Sequence, residues 1–422
     1  MFLQNRNNFI NEMQPNTLAL FYSGKKIIKS ADQYFPFAVN HNFYYLTGIN
    51  QDNVILLIIK TLHSHKTYLF LEASNSYKTL WDGDVLSFAD ASQISQINIS
   101  HLHQIESFSS FLLQTINPLR SAVVASLDSI YFDLSRQNSS LEQEASWASR
   151  YSQKLLSLYP FLKIYNSSPL LSSLRQSKSN YEQEQIKMAI DIHQQALSYL
   201  LPKIKLPMYE YQVTALFHYF LENKHTNNAF QTIAASGKNA LILHYDRNHS
   251  QLQSNDLLLL DSGVTYNHYS SDITRCYPVS GFFTSLQKKL YSLVLKANKE
   301  LIAFVKPEYT FTQLNQYGKA ILTQGLKELS LLEDGQSIDQ YCYHGLAHHL
   351  GLDVHDVCNY SNIIGENSVI TIEPGLYLKK FNIGIRIEDD LLVTKDGAIN
   401  LSQKIPKEIH EIEALMKTAC NN

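Results

Sequence analysis

Between Tyr343 and Asp356 the chain carries His344, His348, His349 and His355, with Asp353 and Asp356, among apolar spacers. Histidine is a common metal ligand and also an ordinary surface residue, so the reading depends on what surrounds this stretch. The apolar run Leu257-Leu258-Leu259-Leu260 ends in Asp261-Ser262-Gly263, and Val369-Ile370-Thr371-Ile372 ends in Glu373-Pro374-Gly375. Two returning strand-like runs each bring a second carboxylate, Asp272 and Glu388. In a hairpin, side chains on one face recur every second residue and paired positions share a constant sum. That arithmetic sets Asp261 opposite Asp272 about a turn at Tyr266-Asn267, and Glu373 opposite Glu388 about a turn at Lys380-Phe381. Four carboxylates gathered with one imidazole would repel by roughly several kcal/mol unless cations neutralise them. Two divalent ions balance the charge, and an oxygen-rich set with a single imidazole suits Mn²⁺ or another hard to borderline ion better than a lone structural Zn²⁺.

The elements that position these groups are legible in outline. Residues 1–175 read as an N-terminal α/β domain with buried strands at Val54–Ile59 and Thr67–Leu71 and another at Val123–Ala125. Apolar residues recurring between Ala91 and Gln114 predict an amphipathic helix. Trp81-Asp82-Gly83-Asp84 is a turn signal, with Trp81 expected to pack. Asn166 to Ser179 reads as a Ser-rich linker. Residues 176–422 then form the second domain, with helices predicted from Asn180 to Pro202, around Leu286 to Phe304, and from Thr312 to Leu329. The fold class is α+β, a curved antiparallel sheet cradling the site.

Composition narrows the function classes. The 422 residues are 45% hydrophobic and 17% charged with a net charge of −3. No Lys/Arg cluster marks a nucleic-acid or membrane-surface partner. The first residues hold no apolar signal region, and the longest aliphatic run is far short of a membrane span of roughly 20 residues, so a cytoplasmic protein is expected. Cys276, Cys342, Cys358 and Cys420 lack C-x-x-C spacing and read as reduced thiols, with Cys342 and Cys358 in core packing.

The motifs Ile242-Leu243-His244-Tyr245, Leu260-Asp261-Ser262-Gly263, Ser271-Asp272-Ile273-Thr274-Arg275, His344-Gly345-Leu346-Ala347-His348, Asp353-Val354-His355-Asp356, Thr371-Ile372-Glu373-Pro374-Gly375 and Gly384-Ile385-Arg386-Ile387-Glu388-Asp389 resemble those of the pita-bread metallopeptidases. Within that group they are most similar to the Xaa-Pro aminopeptidase (aminopeptidase P) family. The resemblance extends to Tyr44-Tyr45-Leu46-Thr47-Gly48 and Ile412-Glu413-Ala414-Leu415-Met416. It implies a C-terminal pita-bread domain with an internal pseudo-twofold, and two divalent metal ions held by Asp261, Asp272, His348, Glu373 and Glu388. It further implies release of the residue ahead of a penultimate proline by a hydroxide generated between the metals, with Glu373 as general base. His244 would donate to the scissile carbonyl and His355 would lie by the proline pocket. His344 is ambiguous between a ligand and a supporting role. Tyr377 would reach the site through its hydroxyl, and Arg386 would balance carboxylates such as Asp389. Peptide substrates and a homo-oligomer are expected. The alternatives are an Xaa-Pro dipeptidase (prolidase) on the same fold and a binding module that has lost catalysis, which missing ligands would mark. Departures from the family pattern are Phe230 where Tyr occurs, Ser262 where Ala is frequent, and a short loop between Tyr377 and Gly384.

Overall fold

The computed structural model describes every residue except 74–78, 82, 118–126, 135–144, 334, 361 and 421–422, so the strand expected at Val123–Ala125 lies outside the described residues. The chain divides into two compact units, Met1–Leu174 and Arg175–Asn422. No helix among the described residues is long and apolar enough to cross a membrane.

The first unit is built on a six-stranded mixed sheet. Its central strand Thr17–Tyr22 pairs antiparallel with Ile55–Lys60 and parallel with Ser129–Phe132. Near-continuous aliphatic runs bury both sheet faces, and Leu18, Leu57, Phe70, Ile130 and Phe132 meet on one of them. The amphipathic helix expected over Ala91 to Gln114 is instead two helices, Phe88–Ser95 and Phe108–Ile116, with the short strand Leu102–Gln104 between them. Gln96 adopts a left-handed conformation that stops the first helix, and Asn98 caps the 3-10 turn that follows. Trp81, expected to pack, is 74% exposed. The segment read as a linker is helical over Ser168–Gln176.

In the second unit the helix Asn180–Leu200 starts with a reciprocal Ser179/Glu182 capping box and buries Ile186, Ile190, His193 and Leu197. Helices Ser285–Phe304 and Phe311–Glu328 likewise begin at Thr–Gln capping boxes. Between the helices lie short antiparallel ladders: Ile233–Ser236, Leu257–Ser262 and Ile273–Pro278 in one, Val369–Ile372, Asp389–Thr394 and Gly397–Asn400 in another, and the pair Gly375–Leu378 with Ile383–Arg386. The second carboxylate hairpin has the expected register: Ile372 faces Asp389 and Gly375 faces Arg386, which brackets Glu373 against Glu388. The first is two residues off. Asp261 faces Thr274, not Asp272. The turn is the two-residue Asn267-His268, both at positive φ (45° and 69°), so its chemistry sets the register. Because the offset is even, both aspartates stay on one face.

A buried charge cluster fixes the His355 segment. Asp356 accepts from Arg175 Nη2 at 2.6 Å and from Lys178 Nζ at 2.9 Å, and Arg175 also reaches Asp353 at 2.6 Å. Burial works against the Asp356 carboxylate, yet Arg175 and Lys178 outweigh it and hold that group below its usual range. Removing one member of such a cluster strands buried charge, so Asp356→Ala is expected to lower stability in urea unfolding by about 3–5 kcal/mol. Glu184→Ala, which breaks the exposed pair with Lys187, should cost under ~1 kcal/mol; equal losses would contradict the assignment.

Candidate metal centre

Asp261 lies in the strand Leu257–Ser262, Asp272 just precedes Ile273–Pro278, and Glu373 and Glu388 occupy the gap between the two ladders that share their register. His348 is brought in by backbone pairing: its carbonyl accepts from Thr371 N at 2.9 Å, and its own N–H donates to Thr371 Oγ1 at 3.1 Å. Its Nε2 stands 3.5 Å from Asp272 Oδ2, 3.5 Å from Glu373 Oε1 and 4.0 Å from Glu388 Oε1. Ligand atoms of Asp261, Asp272 and Glu388 lie within 4.8 Å of one another, as do those of His348, Glu373 and Glu388, and those of Asp272, His348 and His355. Thus the five expected ligand positions come together, with His355 beside them.

The imidazoles are oriented by carbonyls, which can only accept. His348 Nδ1 is 2.9 Å from His349 O, so Nδ1 carries the proton and the Nε2 lone pair faces the carboxylates. His344 Nδ1 donates to Gly345 O at 2.6 Å, leaving its Nε2 to accept from the Tyr377 hydroxyl at 2.9 Å. Tyr377 in turn accepts from Arg386 Nη1 at 2.9 Å, and Arg386 Nη2 donates to Asp261 Oδ2. Donation therefore runs outward from Arg386 in two branches, through Tyr377 to His344 and directly to Asp261. Burial, with Arg386 next in weight, lowers His344 to about 4 and keeps it neutral.

Arg386 does not balance Asp389 as expected. Arg275 takes that place, donating to Asp389 Oδ1 at 2.7 Å and to Glu388 O at 2.5 Å, and Lys407 Nζ bonds Asp389 Oδ2 at 2.5 Å. Successive strand residues point to opposite faces, so Asp389 looks away from Glu388 while Arg386 shares its face. Thr274 was not anticipated: its hydroxyl donates to Glu388 Oε2 at 2.6 Å and accepts from Arg386 Nε at 3.1 Å. It stands two residues beyond Asp272, and that spacing was the available signal. His193 was missed as well. Fully buried, it sits 3.0 Å from Ser271 Oγ through Nδ1 and 2.9 Å from Ser262 Oγ through Nε2. It therefore bridges the neighbours of both aspartates. Its signal was a lone His on the stripe of Ile186, Ile190 and Leu197. Burial, then Arg275, pushes it down to about 3, so it acts as a neutral clamp.

The donor set fits divalent ions. Asp261 Oδ1 is buried with no hydrogen-bond partner among the described residues, an acceptor that a cation would satisfy. Burial, then Asp261, raises Asp272 well above the usual carboxylate range; burial, then Asp272 and Glu373, does the same to Glu388. Glu373 is also raised, chiefly by burial. The cluster opens on a cavity of about 580 Å³ lined by Phe230, His244, His344, His355 and Arg386 among others. His244 and His355 are exposed on its walls, the His355 ring 4.1 Å from that of His348. Gly263, two residues after Asp261, must lack a side chain, because a Cβ there would meet Phe230 and Ser271 O at 2.5 Å.

Comparison with known proteins follows the same lines. Residues 184–395 match the family described as metallopeptidase family M24, and residues 2–124 match the aminopeptidase P N-terminal domain. The chain belongs to the M24 metallopeptidases. It is 33% identical to the Xaa-Pro aminopeptidase of Haemophilus influenzae over 98% of this chain and 96% of that one. It is 30% identical to human Xaa-Pro aminopeptidase 3 over 92% and 79%. Among solved structures, Escherichia coli aminopeptidase P with the inhibitor Pro-Leu superimposes with a TM-score of 0.88 at 28% identity, covering 99% of this chain and 98% of that chain.

Carboxylates with raised proton affinity set protons in competition with an entering ion, so metal affinity is full above the raised pKa values and is lost as pH falls through them. Dialysis against Mn²⁺ followed by elemental analysis should give two ions per chain, and Glu388→Ala should lose at least one. Titration calorimetry from about pH 7 down to about pH 5 should show weakening binding with proton release on metal uptake; pH-independent affinity would count against a carboxylate-rich site.

Proposed function

We propose that this protein is a metal-dependent aminopeptidase that releases the N-terminal residue from peptides with proline in second position, residues 176–422 forming the catalytic domain and 1–175 the N-terminal one. The observation that carries the proposal is the convergence of four carboxylates and His348 around a buried, unpartnered Asp261 oxygen at the floor of a His-lined cavity. No expected ligand is missing, which argues against a binding module. Asp261, Asp272, His348, Glu373 and Glu388 would hold two divalent ions, Mn²⁺ being our assignment from the oxygen-rich donors; a zinc-substituted form of the Escherichia coli relative was solved with product. The ions' contribution when bound is Lewis acidity toward the scissile carbonyl and toward a water.

The remaining work falls to the chain's own groups. Glu373 accepts a proton from the attacking water and returns it to the leaving imide nitrogen. His244 donates to the scissile carbonyl, and His355 borders the proline ring. The Arg386–Asp261 pair lies where the substrate's free amine would find a carboxylate, with Tyr377 and His344 holding Arg386 in line. Proline has no backbone N–H, so recognition must come from the shape of the cavity, not from that donor. A second opening, lined by Asn315, Lys319, Asp339 and Tyr343, shares His344 and Gly345 with the cavity; the named relatives are aminopeptidases, which favours peptides longer than the dipeptides of a prolidase. We assign the protein to the cytoplasm by default, and its net charge of −3 without a basic cluster counts against nucleic-acid or membrane-surface partners. Exposed Ile27, Ile28, Tyr34 and Phe35 support self-association into a homo-oligomer.

Two outcomes are expected. An Xaa-Pro-Yaa tripeptide should be cleaved with higher kcat/KM than its parent Xaa-Pro dipeptide, both with Mn²⁺ added; faster dipeptide turnover would move the assignment to prolidase. His244→Ala should keep two ions per chain and lose kcat by about 10²-fold, and a mutant of normal kcat would return His244 to a structural role.

A further inference from the structure

Glu210 opens the helix Glu210–Asn223 and is completely buried. Among the described residues no cation pairs with it. Instead it accepts five hydrogen bonds. Oε1 takes Ser236 N at 2.7 Å, Ser236 Oγ at 2.7 Å and Asn239 Nδ2 at 2.9 Å; Oε2 takes the Tyr245 hydroxyl at 2.8 Å and Ser250 N at 2.9 Å. Five donors saturate a carboxylate, which has about four lone-pair directions. Every donor belongs to one segment, from Ser236 to Ser250, which contains the 3-10 turn Gly237–Leu241 and then His244. Ser236 at its start and Ser250 at its end are bonded to the same side chain, and Asn239 Nδ2 adds Ser250 Oγ at 2.9 Å. The loop is thereby closed on Glu210, and Tyr245, the residue after His244, is tied to it directly. The loop also rests on the metal-bearing hairpin: a Cβ on Gly384 would come within 2.1 Å of Ala240 O.

From this geometry we infer that Glu210 is a positioning residue for the proposed reaction, fixing the His244 loop against the hairpin that carries Arg386 and Glu388. The inference rests on the proposed role of His244. Glutamine has the same shape but cannot replace it. Its amide nitrogen, in either flip, would face a backbone N–H, that of Ser236 or that of Ser250, and a backbone N–H cannot accept. The helix N-terminus further favours negative charge at this point.

The test is a double-mutant cycle on kcat in the Mn²⁺-loaded full chain, with metal content and Tm measured alongside. Glu210→Gln should lower kcat by about tenfold or more and keep two ions per chain, while causing little further loss in a His244→Ala background. Tyr245→Phe, which removes one of the five bonds and is the milder change should Glu210→Gln fold poorly, should show a smaller loss with the same dependence on His244. Equal fold-losses in both backgrounds, or loss of metal in step with activity, would overturn the inference while leaving the aminopeptidase reading intact. A His244→Ala enzyme of normal kcat would overturn the role of His244 and the inference together.

Discussion

Four carboxylates brought within a few ångströms of each other in a buried cavity repel one another, and most of the surrounding architecture answers that repulsion. Arg386 supplies positive charge on the cavity face, held by Tyr377, Thr274 and Asp261. Arg275 and Lys407 supply it behind the sheet, where Asp389 would otherwise add another negative group, and that aspartate is driven far below its usual range once those cations overcome its burial. What these cations leave uncompensated appears as carboxylates pushed toward their neutral forms and as one buried oxygen with no donor. The arrangement carries an excess of negative charge around a preformed donor set, which suits it to a metal ion.

The neutral scaffold is as important as the charged one. On the helix side the link is His193, held neutral by burial and bonded to the two serines adjoining Asp261 and Asp272. A hydrogen-bonded imidazole can fix two strands without altering the charge balance of the site, which a lysine at the same position would do.

Much of the site could be read from spacing because strands impose a period of two and hairpins impose a constant sum. Glu373 and Glu388 obey both, and their bracketing register agrees with the arithmetic. Asp261 and Asp272 obey only the first, since the Asn267-His268 turn places the fold-back one residue later than carboxylate pairing suggests. Helices with strong caps, Asn180–Leu200 and Phe311–Glu328, were visible at their starts. The helix expected across Ala91 to Gln114 was not real, because periodicity cannot show that Gln96 turns left-handed and Asn98 caps a new turn. Arg275, Thr274 and His193 bind through partners more than 60 residues away in sequence, and no local pattern encodes such pairings. Trp81 has the size of a core residue, but nothing in its neighbours shows which way it faces.

The gap between the two ladders at Glu373 and Glu388 also governs how chain length can vary. At that gap Ile387 N donates to Pro374 O at 3.3 Å and Glu388 N crosses to Thr274 O at 3.1 Å, so the two hairpins are laced together where the ligands stand. An insertion of one residue between Glu373 and Leu378, or between Ile383 and Glu388, would turn a carboxylate to the far side of the sheet. An insertion within the turn at 379–382 would leave every pairing unchanged. Natural length variation among relatives should therefore collect in that turn, making it a place where lineages can remodel the rim of the cleft without disturbing its floor.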